Sequence, residues 1–120
     1  MKFHKDAEVS DFDSGYNWAE ALEVCLRDSI EPVLGESVRT DRFTASDIEE
    51  VIAAAEGQND GDPWVALVKL KDGRFVALTA WCDYTGWGCQ DGGQAVVGLT
   101  TESTLAGGFD PAQRDRLLAT

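Results

Sequence analysis

Phe43-Thr-Ala-Ser-Asp-Ile-Glu-Glu-Val-Ile-Ala-Ala-Ala-Glu-Gly57 carries the clearest start and stop signals in the chain, and the architecture turns on its reading. Thr44 and Asp47 have the spacing of a capping box, with Asp in place of the usual Glu, and Phe43 is placed to meet Ile48 as a hydrophobic staple. Ile48, Val51, Ile52 and Ala55 then recur at i, i+3, i+4 and i+7, the stripe of an amphipathic helix, and Gly57 stops it. Asp47, Glu49 and Glu50 put negative charge on the first turn of that helix, where the macrodipole favours it.

Upstream, Trp18, Leu22, Cys25 and Leu26 make a second helical face that starts near Tyr16 and ends before Pro32, with Cys25 on the apolar side as a core thiol. Residues 1–13 mix charges and small side chains without periodicity and read as a loosely held arm, which leaves the sole histidine, His4, without a positioned catalytic partner. Downstream, Gln58 to Pro63 is a turn-rich connector whose Asn59, Asp60 and Asp62 lack the spacing of an EF-hand loop. Trp64–Lys71 and Arg74–Cys82 flank Asp72-Gly73 and predict a β-hairpin with a two-residue turn. Gln94–Thr101 alternates as a third strand, and Asp110-Pro111 caps a short closing helix over Gln113–Leu118. The expected fold is therefore α+β, one domain over residues 14–120. Its helices pack on a three-stranded antiparallel meander in the order α-α-β-β-β-α.

Charge and cysteine content narrow the function classes. The 120 residues hold 22 Asp and Glu against 10 Lys and Arg, a net charge of -12. Residues 1–62 carry 16 acids and 5 bases, a net of -11, and residues 63–120 carry 6 and 5, a net of -1. Such a surface repels phosphate, so direct nucleic-acid binding and docking on anionic membranes are both disfavoured. It fits a basic protein partner, imitation of nucleic acid, or simple solubility. Three cysteines leave one thiol unpaired, no apolar run reaches ~20 residues, and the first residues lack a signal-peptide core; a cytoplasmic protein is expected.

The stretch Trp81-Cys-Asp-Tyr-Thr-Gly-Trp-Gly-Cys-Gln-Asp-Gly-Gly93 is the most distinctive in the chain. It resembles a motif of small bacterial and phage proteins in which Cys-Asp-Tyr-Thr-Gly-Trp, one variable residue, and Cys-Gln follow a hairpin with an Asp-Gly turn. The likeness extends from about Phe43 to Leu118 and departs at Gly88, where an acid is expected, and at Leu105–Gly108, where similar proteins look more helical. The resemblance implies a shared fold and loop function and carries over no catalytic residue.

Six residues separate Cys82 from Cys89, so the two can face each other across an antiparallel hairpin, at a separation that a disulfide accepts. The spacing is neither Cys-x-x-Cys nor that of a zinc site, and no histidine stands near a nucleophile. No catalytic residue, metal or cofactor is therefore assigned. Trp81, Tyr84 and Trp87 lie within seven residues on a turn, and rigid aromatics in that density suit an interface, or else fold back over the sheet end. The leading expectation is a noncatalytic acidic accessory protein, of phage or mobile-element type, that binds an unidentified protein through Asp83, Tyr84 and Trp87 or through Glu49 and Glu50. A nucleic-acid-mimicking inhibitor, and a thiol redox or metal protein acting through Cys82 and Cys89, are the alternatives.

Overall fold

The structure, a computed structural model, describes residues 2–119. Helices α1 (Val9–Ser14) and α2 (Tyr16–Asp28) lead into a short strand β1 (Ile30–Pro32). Strands β2 (Ile48–Ala55), β3 (Trp64–Leu70), β4 (Phe75–Asp83) and β5 (Gly86–Gly98) follow, and helices α3 (Thr101–Gly108) and α4 (Pro111–Leu117) close the chain. The five strands form one mixed sheet in the order β1-β5-β4-β3-β2, in which only β1 runs parallel to its neighbour. No helix among the described residues is long and apolar enough to cross a membrane.

The expected three-stranded meander is thus overturned, chiefly because residues 48–55 are a strand and not a helix. The capping box is real but local. Thr44 N–H donates to Asp47 Oδ2 (2.8 Å) and Asp47 N–H to Thr44 O (2.9 Å), closing a single 3-10 turn over Ala45–Asp47. Lys71 N–H then donates to the Asp47 carbonyl at 2.8 Å, and the chain pairs with β3 instead of continuing to coil. Two register shifts, between Ile48 and Glu50 and between Val51 and Ala53, each insert a residue opposite β3. The bulges space the inward residues Ile48, Val51 and Ala54 three apart, so a bulged strand carries an apolar period close to that of a helix. Glu49 and Glu50, expected on a helix, are exposed on this edge strand, where charge and bulges oppose pairing with another chain.

Both faces of the sheet are covered, giving three layers. Phe12, Trp18, Leu22, Cys25 and Leu26 of α1 and α2 pack on the face formed by Ala66, Val68, Val76, Leu78 and Val97. Leu105, Phe109 and Leu117 of the carboxy-terminal helices pack with Val65, Leu67 and Ala77 on the other. Burial on both faces explains the nearly continuous apolar run of β3. Helix α3 was not expected, and it includes Leu105–Gly108, where the sequence departs from the more helical pattern of similar proteins. A Cβ on Gly107 would lie 2.7 Å from Val33 Cγ1, and one on Gly108 would overlap the Cβ of Ala77, so these glycines let the helix touch its neighbours.

The β3–β4 turn is one residue longer than expected. Gly73 N–H bonds to Leu70 O (3.0 Å), Leu70 N–H to Arg74 O (2.8 Å), and Gly73 has φ +96°, a type I turn followed by a left-handed glycine. Arg74, 7% exposed, bonds to Asp72 and to the carbonyls of Arg39 and Asp41, which holds the loop before β2 against the sheet. The amino-terminal segment does not hang free: Asp6 N–H donates to Ala54 O and Ala54 N–H to His4 O, both at 2.9 Å, covering part of the β2 edge.

Candidate binding surface at the β4–β5 end

β4 and β5 pair in register from Phe75 opposite Gly98 to Cys82 opposite Asp91, and the next pair is Asp83 opposite Gly86. Trp87, Gly88, Cys89 and Gln90 therefore have no partner on β4 and bow out between the ladder and the turn. The turn is fixed by Asp83, whose Oδ1 accepts from the Thr85 N–H (3.0 Å) and hydroxyl. Gly86 and Gly88 both sit at φ +95°, where a side chain would be strained.

The excursion is pinned from α2. Asp91 Oδ2 accepts from Gly88 N–H (2.8 Å) and its Oδ1 from Arg27 Nη1 (2.9 Å). Arg27 Nε donates to Asp28 Oδ1 (2.9 Å), and Asp28 Oδ2 accepts from Gly93 N–H (3.0 Å). The hydrogen bond from Gly88, helped by the Arg27 guanidinium, holds the Asp91 carboxyl below its ordinary pKa. Arg27 and the Gly93 amide do the same for Asp28, and the two carboxylates in turn raise Arg27.

The expected site residues separate into two sets. Tyr84 stands at the tip with 78% of its surface exposed, beside Asp83. Trp87 turns inward instead: its ring packs on Trp64 with centroids 5.0 Å apart, and its indole N–H donates to Asn17 Oδ1 at 3.1 Å. Its polar handle is used within the fold. Trp81, 47% exposed, is the second large aromatic left outside at this end. Glu49 and Glu50 lie across the sheet on β2, and Glu49 pairs with Lys69 at 3.3 Å.

The cysteines do not lie opposite each other as the spacing suggested. The ladder sets Cys82 opposite Asp91, and all three thiols are free. Cys82 is buried and donates to Asn59 Oδ1 (3.3 Å), and Asp60 N–H donates to the Cys82 carbonyl (2.9 Å), so the Gln58–Pro63 connector is strapped to the hairpin. Burial, reinforced by Asp83 and Asp91, raises the Cys82 thiol, the opposite of what an activated nucleophile needs. Cys25 is fully buried and pushed up to about 12 by desolvation, as a core thiol should be. Among the described residues no group of three metal-ligating side chains converges.

Sequence reasoning missed Arg27, Asp28, Asp91 and the two adjacent glycines. A Cβ on Gly92 would come within 2.8 Å of the Trp81 ring, and one on Gly93 within 3.0 Å of Cys25 Sγ. Gly92 lets Trp81 lie flat on the strand, and Gly93 lets α2 approach from the other side. A glycine pair across the ladder from a tryptophan was the available signal. No protein family, curated protein or solved structure matches this chain.

Proposed function

We propose that the chain is a noncatalytic binding protein that docks a basic protein partner against the β4–β5 end of its sheet. The observation that carries this reading is the exposure of Tyr84 and Trp81 on a backbone held by the Asp83, Asp91 and Arg27 hydrogen bonds. Tyrosine and tryptophan offer large contact area with only two side-chain torsions to freeze on binding, and they are the side chains that dominate interface energetics. The net charge of -12 selects a basic surface and speeds its approach.

The test is photo-crosslinking from position 84 in the cells that make the protein, followed by binding measurements with the purified crosslinked partner. Tyr84→Ala is expected to weaken the reconstituted complex by about tenfold, ~1.4 kcal/mol, with the fold unchanged. Equal affinity of Tyr84→Ala and wild type for that partner would place the interface elsewhere.

A further inference from the structure

The sheet face covered by α3 and α4 is left open towards the β4–β5 turn. A groove of about 460 Å³ lies there, bordered by Thr79, Trp81, Gln94 and Gln113, with Asp28 and Asp91 at its edge. We propose that this groove is a guanidinium site, in which an arginine side chain of the partner stacks on Trp81 with its charge answered by Asp28. The proposal rests on the docking reading above and specifies what the partner presents.

Three features of the groove select that group. One side of the Trp81 ring lies along the Gly92 backbone, where an added Cβ would sit 2.8–2.9 Å from Cζ2, Cε2 and Nε1, while the side chain remains 47% exposed. Tryptophan is the strongest aromatic partner for a cation, and a planar guanidinium stacks on it in full contact. Asp28 and Asp91 are both held below the usual carboxylate range, and with Arg27 between them they leave one net negative charge. Both Asp28 oxygens accept one hydrogen bond within the protein and, with the side chain 39% exposed, keep a lone pair for another donor, whereas the Asp91 side chain is only 7% exposed and adds charge alone. An anionic ligand is opposed by the aspartates and by the overall charge. A neutral ring or sugar could stack on Trp81 but gains nothing from the carboxylates.

Titration of the folded, 15N-labelled protein with Nα-acetyl-arginine amide tests this, with the Trp81 indole signal assigned through Trp81→Phe. Acetyl-citrulline amide, of the same shape without the charge, and acetyl-lysine amide are the comparisons. The expected result is a saturable shift of the Trp81 indole and of the Gln94 and Gln113 side-chain amides with the arginine probe. Citrulline should bind about tenfold more weakly, and Asp28→Asn should lower arginine affinity several-fold. Gly92→Ala, which lifts the ring from the strand, should abolish the shift, and Asp28→Asn carries the same test if that variant does not fold. No saturable shift at Trp81 overturns the proposal, as does equal binding of citrulline, which would mark a groove for neutral rings. Partner binding that depends on Tyr84 without arginine binding at Trp81 leaves docking standing and removes the guanidinium site. Arginine binding at Trp81 with a partner complex insensitive to both Tyr84→Ala and Trp81→Ala does the reverse.

Discussion

Gly108→Ala sets two opposing effects against each other, and the geometry decides the sign. Gly108 is the last residue of α3, and replacing a helical glycine by alanine stabilises by up to ~1 kcal/mol in a helix interior, less at an end. Here the new methyl would overlap the Cβ of Ala77 and lie 3.6 Å from that of Val96, both on the sheet beneath. Restoring ordinary carbon–carbon separation requires the end of α3 to withdraw by roughly 1 Å. Withdrawal loosens Leu105 and Phe109, which are now 8% and 6% exposed against Leu67 and Ala77. Overpacking of this kind costs ~1–3 kcal/mol, so the net effect is a loss of about 1–2 kcal/mol. Urea denaturation followed by tryptophan fluorescence should show the midpoint falling by about 1 M for a slope near 1.5 kcal/mol/M. Ala77→Gly removes the obstructing methyl, so the double variant should be more stable than the sum of the two single losses by at least ~1 kcal/mol. A Gly108→Ala protein as stable as wild type, or a double variant whose losses simply add, would refute this account of how α3 seats on the sheet.

Cys25 supplies an alkaline prediction. The folded state keeps the thiol proton up to about pH 12, whereas the unfolded chain releases it near 9.0. The thiol's contribution is therefore complete below the unfolded pKa and is lost as pH rises towards the folded one, by up to ~1.4 kcal/mol per unit. Denaturation between pH 8 and 10.5 should fall more steeply for wild type than for Cys25→Ala, and parallel curves would contradict it. Thiol labelling of the native protein should modify exposed Cys89 first and leave Cys25 for the unfolded chain, an order that mass spectrometry reads directly. Asp91→Asn removes the ion pair with Arg27 and weakens the acceptor for Gly88, and should cost about 1 kcal/mol at neutral pH. Because the native Asp91 pKa is lowered, that stabilisation is present above the unfolded pKa and is lost as pH falls through the native one. The two proteins should therefore converge in acid, and a gap that stays constant to pH 2 would be inconsistent with it.

The parts of the fold legible in the sequence were those specified by neighbours in the chain. α2 follows from its apolar face, α4 from Asp110 and Pro111, and the β3–β4 hairpin from two apolar runs about Asp72-Gly73. β2 failed because its bulges give it helical spacing, and the Ala-Ala-Ala of residues 53–55 has no strand preference of its own; pairing with β3 overrode propensity. β1, three residues ending in proline, has no pattern to read, and only its hydrogen bonds to β5 define it. The same division runs through the candidate surface. Tyr84 was legible because a tyrosine at the tip of a tight turn has little to fold against. Trp81 and Trp87 are alike in composition and opposite in fate. Trp81 alternates with Ala80 and Cys82 and so faces away from α2, whereas Trp87 lies on the unpaired excursion, free to turn back onto Trp64. Arg27, 64 residues from Asp91, joins the surface only through the register of a strand whose bulge no local rule reveals. A candidate surface assembled from one such contact and one local turn is half visible in sequence for that reason: the turn specifies which aromatic is exposed, and the register specifies the charge beside it.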